Sequence, residues 1–349
     1  MKTKKITLSD IAKDTDVSSA AVSMILANKN IDRFSNETIQ EVRKSAKRLG
    51  YVKKKKGNNK KKLILLVAPT IVNPYYSTII QAMEMKAIEC GYDTITYNTY
   101  WDVERERELI KTALSLQVDG CIFSMIPQQI EVAKKLNDLI SLVIIGDRQF
   151  DLGIDTVEIN NFNAGRMIGQ HYVDYGHKEI AYITTPLNAE HSARTERLRG
   201  LTSICKENDI NNIRLFESDT IKPAEVLNLT EIEYSIGYNL TKKCLKDCSE
   251  VTAIVAMNDV IAFGALDAIK SMGYKVPQDF SVSGFDNIFP SKFLGIDLTT
   301  VEHHIIQRGK KAVQMLSNKI DDRFKIEGVT RVEYSSLLID RLTVGPVIK

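Results

Sequence analysis

The sequence predicts a small all-α module followed by a large two-lobed α/β body with parallel sheets and helices on both faces. Three observations predict it. Two short amphipathic runs flank a tight polar turn within residues 7–26, and a lysine-rich stretch holds no apolar residue over 53–62. Beyond it, short apolar runs alternate regularly with amphipathic helical stretches. The expected division is a helical module over 1–52, a linker over 53–62 and a body over 63–349.

In TLSDIAKDTDVSSAAVSMIL, Leu8, Ile11 and Ala12 recur at helical spacing, as do Val22, Ile25 and Leu26. Val17 is the apolar pin in the turn Asp16-Val17-Ser18 between them. Two crossed helices sharing one small core make a helix-turn-helix, which presents the first turn of its second helix to the major groove of DNA. Taken alone, the same pattern more often means an ordinary helical hairpin. Ser18 suits the N-cap of the second helix, which leaves Ser19, Ala20 and Ser23 on its exposed side. A third helix is expected over 35–49, with Ile39, Val42, Ala46 and Leu49 on one face, Ser35 as N-cap and Gly50 after its end.

Charge separates this module from the body. Residues 1–62 hold seventeen Lys and Arg against six Asp and Glu, a balance of +11, whereas the other 287 hold thirty against thirty-eight, a balance of −8. A basic module on an acidic body reads as a nucleic-acid contact surface, because every neutralised phosphate releases counterions. The alternative, a merely solvated lysine face, weakens once the helix pattern is added. The stretch VKKKKGNNKKK cannot fold on a core of its own and reads as a linker.

In the body, strands are expected at 63–69, 93–98, 120–125, 142–147, 178–184, 252–258 and 280–286, and a last one, YSSLLID, at 334–340. Helices fill the gaps, for example over 77–90, 103–115, 163–175 and 260–272, several ended by glycines such as Gly91, Gly176 and Gly273. Strict alternation implies parallel sheets covered on both faces. A body of this length exceeds one comfortable core, so two sheets side by side with a cleft between them are expected.

Ligands of open parallel sheets sit beyond the carboxyl ends of the strands. Those ends carry Asn73-Pro74-Tyr75-Tyr76, Ser124, Asp147-Arg148, Asn258-Asp259 and Asp286-Asn287, and SARTERLRG adds Arg194, Arg197 and Arg199. Asp and Asn bond adjacent hydroxyls, Arg bonds oxygens bidentately and an aromatic ring covers an apolar face, so the set suits a small polyhydroxylated ligand. Singly, each has a plainer meaning: a surface ion pair at Asp147-Arg148, a helix cap at Asn258-Asp259, a turn at Asp286-Asn287. Trp101 fits the cleft mouth and packing on its own lobe about equally.

Catalysis is not expected. The chain has no G-x-x-x-x-G-K-[ST], G-x-S-x-G or H-E-x-x-H motif, and its first strand leads into Thr70-Ile71-Val72-Asn73-Pro74 rather than a glycine-rich phosphate loop. His171, His177 and His191 sit in helix or loop contexts without a nearby nucleophile pair, and His303-His304 suits a cleft edge better than a metal. No cofactor and no metal site are therefore expected. A transport-associated binding protein would share the cleft but need a secretory leader, and Asp10, Lys13, Asp14 and Asp16 stand where its apolar core should be. Cys90, Cys121, Cys205, Cys244 and Cys248 are odd in number and scattered, as in a cytoplasmic protein, and no apolar run is long enough to cross a membrane.

The whole chain resembles the lactose-repressor family of bacterial transcription regulators. The resemblance rests on TLSDIAKDTDVSSAAVS, RFSNETIQEVRKSAKRLGY, NPYYSTIIQAMEMKAIECGYDTITYNT, ERERELIKTALSLQVDGCIF, IIGDR, NFNAGRMIGQHYVDYGHKEIAYIT, ERLRG, AMNDVIAFGALDAIKSMGYKVPQDFSVSGFDN and LTTVEH, in order along nearly the full length. It implies a DNA-reading module joined to a periplasmic-binding-protein-like effector body, acting as a homodimer on a near-palindromic operator. It implies a pocket of Tyr76, Ser124, Asp147, Arg197, Asn258 and Asp286, with Asn73 and His303 as further contributors and Arg148 beside Asp147. The expected DNA-facing set is Thr7, Ser18, Ser19, Ala20, Ser23, Met24, Asn28, Lys29, Tyr51, Lys53, Lys54, Lys55 and Lys56. A sugar-like effector leads; a branch of the family uses purines, and Tyr76 suits stacking on a base as well as covering a sugar. Only nine residues, without a heptad pattern, follow the last expected strand, so a dimer is expected rather than a coiled-coil tetramer.

Two departures from the family pattern bear on how DNA is read. Met24 stands where the family often has an arginine, which replaces bidentate guanine reading by apolar contact such as a thymine methyl. No leucine occurs between Leu49 and Leu63, where the family's hinge helix carries a minor-groove wedge, so the linker lysines are expected to supply electrostatic contact instead. Replacing Lys53, Lys54, Lys55 and Lys56 with alanine is then expected to flatten the plot of log operator affinity against log salt by about 0.9 per lost contact. An unchanged slope removes that role for the linker.

Overall fold

The computed structural model describes residues 7–26, 33–49, 62–148, 151–187, 193–211, 213–219, 228–321 and 328–347. The chain divides into two units, residues 1–60 and 61–349.

The first unit is built from α1 (Leu8–Thr15), α2 (Ser19–Leu26) and α3 (Asn36–Arg48). Ile11, Val22, Ile25, Ile39, Val42 and Ala46 form its core, the residues that the helical spacing selects. At the start of α1 the Asp10 carboxylate accepts from the Thr7 backbone N–H at 2.7 Å and from its hydroxyl at 2.6 Å. Asp16 makes the turn with a left-handed backbone, φ +49°, which a short polar side chain tolerates. Ser18 Oγ then accepts from the Ala21 N–H at 3.2 Å and opens α2. The Asp14 carboxylate accepts from Ser45 and Arg48, tying α1 to α3.

The body begins with β1 (Lys62–Ala68), α4 (Pro74–Glu89), β2 (Tyr92–Asn98), α5 (Val103–Leu116), β3 (Gly120–Phe123), α6 (Ile130–Leu139), β4 (Ser141–Asp147) and β5 (Thr156–Ile159). It continues with α7 (Asn161–Asp174), β6 (Ile180–Thr184), α8 (Ala193–Glu207), β7 (Ile213–Glu217), α9 (Leu229–Asp247), β8 (Ala253–Ala256), α10 (Asp259–Ser271) and β9 (Ser281–Ser283). Last come β10 (Thr300–Glu302), α11 (Ile305–Ile320), β11 (Arg331–Tyr334) and β12 (Leu337–Ile339).

One lobe carries a six-stranded sheet in the order β11-β5-β4-β3-β1-β2, and the other a four-stranded sheet β7-β6-β8-β9, all parallel. β10 and β12 pair antiparallel beside them. The central strands are buried on both faces because helices flank them, so β1 reads as one apolar run, Ile64 to Ala68. Helix α11 packs on the first lobe, where Ile305, Ala312, Val313 and Leu316 join the core of β1 and β4. Helices α7 and α10 pack on the second. The chain thus passes between the lobes three times: after β5, between β10 and α11, and between β11 and β12.

The expected two parallel sheets are present, but several elements differ from the sequence reading. β5, β7 and β10 were not anticipated. β5 hides because its Thr156 and Glu158 are polar yet buried, hydrogen-bonded to each other. β7 is an edge strand with exposed positions, and β10 spans three residues. The run expected as one strand at 334–340 is two, β11 in the first lobe and β12 against β10, with Ser335 and Ser336 crossing between them. Lys62, expected in the linker, is the first residue of β1, and its Nζ lies 2.6 Å from Asp321 Oδ1. Residues 53–56 lie outside the described residues.

The second lobe depends on helices that touch backbone to backbone. A Cβ on Gly165 of α7 would lie 2.0 Å from the Arg197 carbonyl oxygen of α8, and one on Gly200 of α8 would lie 1.9 Å from the Phe162 carbonyl oxygen. Backbone cannot yield as a side-chain tip does, so only glycine permits this approach. Gly165→Ala is expected to lower stability by about 3 kcal/mol, measured by urea unfolding. A cost within 0.5 kcal/mol of zero, the ordinary range for surface substitutions, would show that the helices separate without penalty.

Candidate functional site

The carboxyl ends of β1, β3, β4, β5, β6, β8 and β9 open onto one cavity of about 430 Å³ between the lobes. The side chains there are placed by helix caps. Asn73 caps α4, accepting from the Tyr75 N–H at 2.9 Å, with Pro74 in the first turn. Asn258 caps α10, accepting from the Ile261 N–H at 2.9 Å. The plain and functional meanings of Asn258 therefore coincide: it caps a helix and lines the cavity. Its neighbour Asp259 points away, accepting from the Ile288 N–H and from the Ser291 and Thr300 hydroxyls.

Arg197, on α8, is the centre of the site. Its Nε donates to Asn161 Oδ1 at 2.8 Å and its Nη1 to the Met257 carbonyl at 2.6 Å. Its Nη2 faces Asp286 Oδ1 at 3.4 Å and His303 Nε2 at 3.0 Å, and the guanidinium lies 4.6 Å from the Phe285 ring centroid. Guanidinium has no acceptor, so His303 Nε2 must accept, which places the ring proton on Nδ1, facing Ser336 Oγ at 3.2 Å. Burial and the neighbouring Arg197 and Arg308 hold the His303 ring well below its usual pKa, in keeping with a neutral acceptor. Asp286 takes a positive φ of +108°, a strained backbone that aims its carboxylate at Arg197.

On the other lobe, Asp147 Oδ2 accepts from the Asn161 backbone N–H at 3.1 Å and from its amide Nδ2. Asn161 thus joins Asp147 to Arg197 at the point where the chain first changes lobe. Across the cleft, Asn73 Nδ2 donates to Glu233 Oε2 at 2.8 Å, and the Thr230 hydroxyl donates to the Val72 carbonyl at 3.0 Å. Tyr76 and Trp101 meet edge to face at 6.1 Å on the cavity wall, so the tryptophan belongs to the cleft. Burial pushes the Tyr76 hydroxyl far above its usual pKa, leaving it a neutral donor.

Of the residues expected at an effector site, Asn73, Tyr76, Ser124, Asp147, Arg197, Asn258 and Asp286 line this cavity. Arg148 does not: its guanidinium is exposed and pairs with Glu333 at 3.0 Å, because the residue after Asp147 faces the opposite side of the strand end. His303 is fully buried behind Arg197 and supports it rather than lining the space. Arg199, two residues on and so on the other side of α8, has an exposed guanidinium that pairs with Glu196 at 2.7 Å. Asn161, Glu233 and Arg308 also line the cavity and were missed. Asn161 follows the unanticipated β5, whereas Glu233 and Arg308 stand within helices, where no strand end marks them.

In the first unit, Ser18, Ser19, Ala20 and Ser23 are exposed on one side of α2, Met24 is half-buried, and Thr7 is exposed at the start of α1. Asn28, Lys29, Tyr51, Lys53, Lys54, Lys55 and Lys56 lie outside the described residues. Among the described residues no group of three or more His, Cys, Asp or Glu is placed to hold a metal, and no helix is long and apolar enough to cross a membrane.

Residues 170–344 match the family described as periplasmic binding protein-like domain. The HTH-type transcriptional repressor PurR of Pectobacterium carotovorum is 30% identical over 353 residues, covering 98% of each chain. The crystal structure of the transcription regulator CcpA of Lactococcus lactis superposes with a TM-score of 0.68 at 25% identity, over 81% of this chain and 99% of that one. The lac repressor dimer bound to operator and an anti-inducer shares the fold, with a TM-score of 0.70 at 22% identity over 98% of this chain and all of that one. These relatives are regulators, not enzymes.

The buried acids make the body sensitive to pH. Burial pushes the Glu233 carboxyl up to about 7, and Asp286 up to about 6 despite Arg197. At these carboxyls, and at Asp259, which burial also raises to about 7, the native state binds more protons than the unfolded chain. Their contribution to stability therefore falls as pH rises from about 4.5 to 7, while the buried His177 and His303, held below the usual imidazole range, contribute in the opposite sense. Glu233→Gln is expected to flatten the Tm profile there and to raise Tm at pH 8. A profile that keeps its slope in the variant would remove Glu233 as the source.

Proposed function

The chain belongs to the lactose-repressor (LacI) family of transcriptional regulators, and we propose that it is a repressor whose hold on operator DNA is set by a small ligand between the lobes of its body. The observation that carries this reading is the convergence of seven strand ends from two sheets on one cavity around Arg197, in a chain that also bears a helix-turn-helix. The exposed first turn of α2 reads base edges in the major groove, with Met24 and the small residues beside it giving apolar contacts. Two copies of the chain act together on two half-sites one helical turn apart, because one helix-turn-helix buries too little surface for specific binding alone. Operator binding places the protein in the cytoplasm.

The ligand is of the polyhydroxylated, sugar-like class. Asp147, Asp286 and Glu233 offer acceptors, Asn73 and Asn258 offer both kinds of group, and the Tyr76 and Trp101 rings cover an apolar face. A purine base is the second reading, favoured by those two rings, which suit a planar heterocycle, and by the repressor relatives.

A ligand touching both lobes favours one interlobe arrangement only as far as it binds that arrangement better than the other. The arrangement then alters the spacing of paired DNA modules. Sugars, sugar phosphates and nucleobases tested by thermal shift on the full chain should yield one that raises Tm by mass action and changes operator affinity about 5- to 150-fold. A ligand that fills the cleft but leaves operator affinity unaltered contradicts the proposal.

A further inference from the structure

One cavity residue is at odds with a purely neutral ligand. Arg308, on α11, is only 2% exposed, yet no carboxylate pairs with it among the described residues. Its Nη1 donates to the Tyr75 hydroxyl at 3.2 Å, and its buried Nε has no partner. Two further buried atoms that line the cavity lack partners, Ser124 Oγ in the same lobe as Arg308 and Arg194 Nε in the facing lobe; Arg194 otherwise donates to Thr185 at 3.0 Å.

The carboxylates of the cavity are already engaged elsewhere. Asp286 faces Arg197, Asp147 holds Asn161, and Glu233 holds Asn73. A buried guanidinium with no carboxylate in direct contact is costly, and unpaired buried donors add to the cost. A ligand oxyanion would remove both costs at once, since guanidinium and hydroxyl donors are the groups that bind carboxylate and phosphate oxygens.

We infer that the effector carries an anionic group, a carboxylate or a phosphate, seated on Arg308, with Ser124 and, from the facing lobe, Arg194 as further donors lining the same cavity. This deepens the sugar-like reading of the cleft and rests on it: the ligand is an acidic sugar or sugar phosphate rather than a neutral one. Arg308 is then a specificity-determining residue, because a neutral sugar leaves its Nε unpaired whereas an acidic one does not.

The test uses the full chain and matched probes: glucose against glucuronate and glucose 6-phosphate, ribose against ribose 5-phosphate, and inorganic phosphate against sodium chloride at equal ionic strength. Calorimetry and thermal shift are read on wild type, Arg308→Met and Arg308→Lys. Wild type should bind at least one acid tenfold or more tighter than its neutral partner, and inorganic phosphate should raise its Tm above the chloride control. Arg308→Met should lose both effects while its ligand-free Tm stays level or rises, since an unpaired buried charge has gone. Should Arg308→Met fail to fold, Arg308→Lys carries the test, with the acid preference expected to fall several-fold.

The carboxylate and phosphate members of the panel distinguish which oxyanion fits. The inference is overturned if no acid binds better than its neutral partner, or if the variant that folds keeps the wild-type preference. A neutral sugar that binds and shifts operator affinity removes this inference and leaves the regulator reading intact. An acid that binds through Arg308 without changing operator affinity does the reverse.

Discussion

The body is organised around one guanidinium. Arg197 commits its nitrogens to an amide, a backbone carbonyl, a carboxylate and an imidazole, and lies over the Phe285 ring. These partners come from the ends of β8 and β9, from the start of α7 and from the connector between β10 and α11. No single element could hold them in register, and a buried cation tolerates few missing contacts. The arrangement also explains its surroundings: Asp286 accepts a strained backbone to reach Arg197, and His303 stays neutral so that it can accept from it.

That centre is rigid because α8 is pinned to α7 through Gly165 and Gly200. The opposite wall of the cavity belongs to the other lobe, joined to Arg197 through Asn161 and Asp147 and to α9 through Asn73 and Glu233. A ligand filling the space replaces or reinforces these few polar links. Because packed lobes adopt discrete arrangements instead of deforming continuously, a change in a handful of hydrogen bonds can select between them. The connectors that would take up such a change, at Asn161, His303 and Ser336, are the residues that contact Arg197 or its support.

Much of this was legible in the sequence because strand ends in parallel sheets are predictable places. Asn73, Ser124, Asp147, Asn258 and Asp286 could be named from the apolar runs that precede them, and the core of α1 to α3 from helical spacing. Arg148 misled because adjacency at a strand end does not mean a shared face. Glu233 and Arg308 stayed hidden because each sits in a helix whose inward side depends on packing between lobes. β5 and β10 escaped notice because they are short and bury polar residues whose partners are distant in sequence or newly formed by the fold. What the sequence lacked was the tertiary context that turns a mid-helix charge into a cavity wall.

The central claim is that occupancy of the Arg197 cavity and operator binding are coupled. The most direct measurement is a thermodynamic cycle: operator affinity of the full chain by fluorescence anisotropy, with and without a saturating cleft ligand, in wild type and in Arg197→Met. The account predicts a ligand-dependent change of at least fivefold in wild type, the low end of typical coupling, that collapses toward unity in the variant while the variant still binds operator. An operator affinity that responds to the ligand equally in both proteins would contradict it.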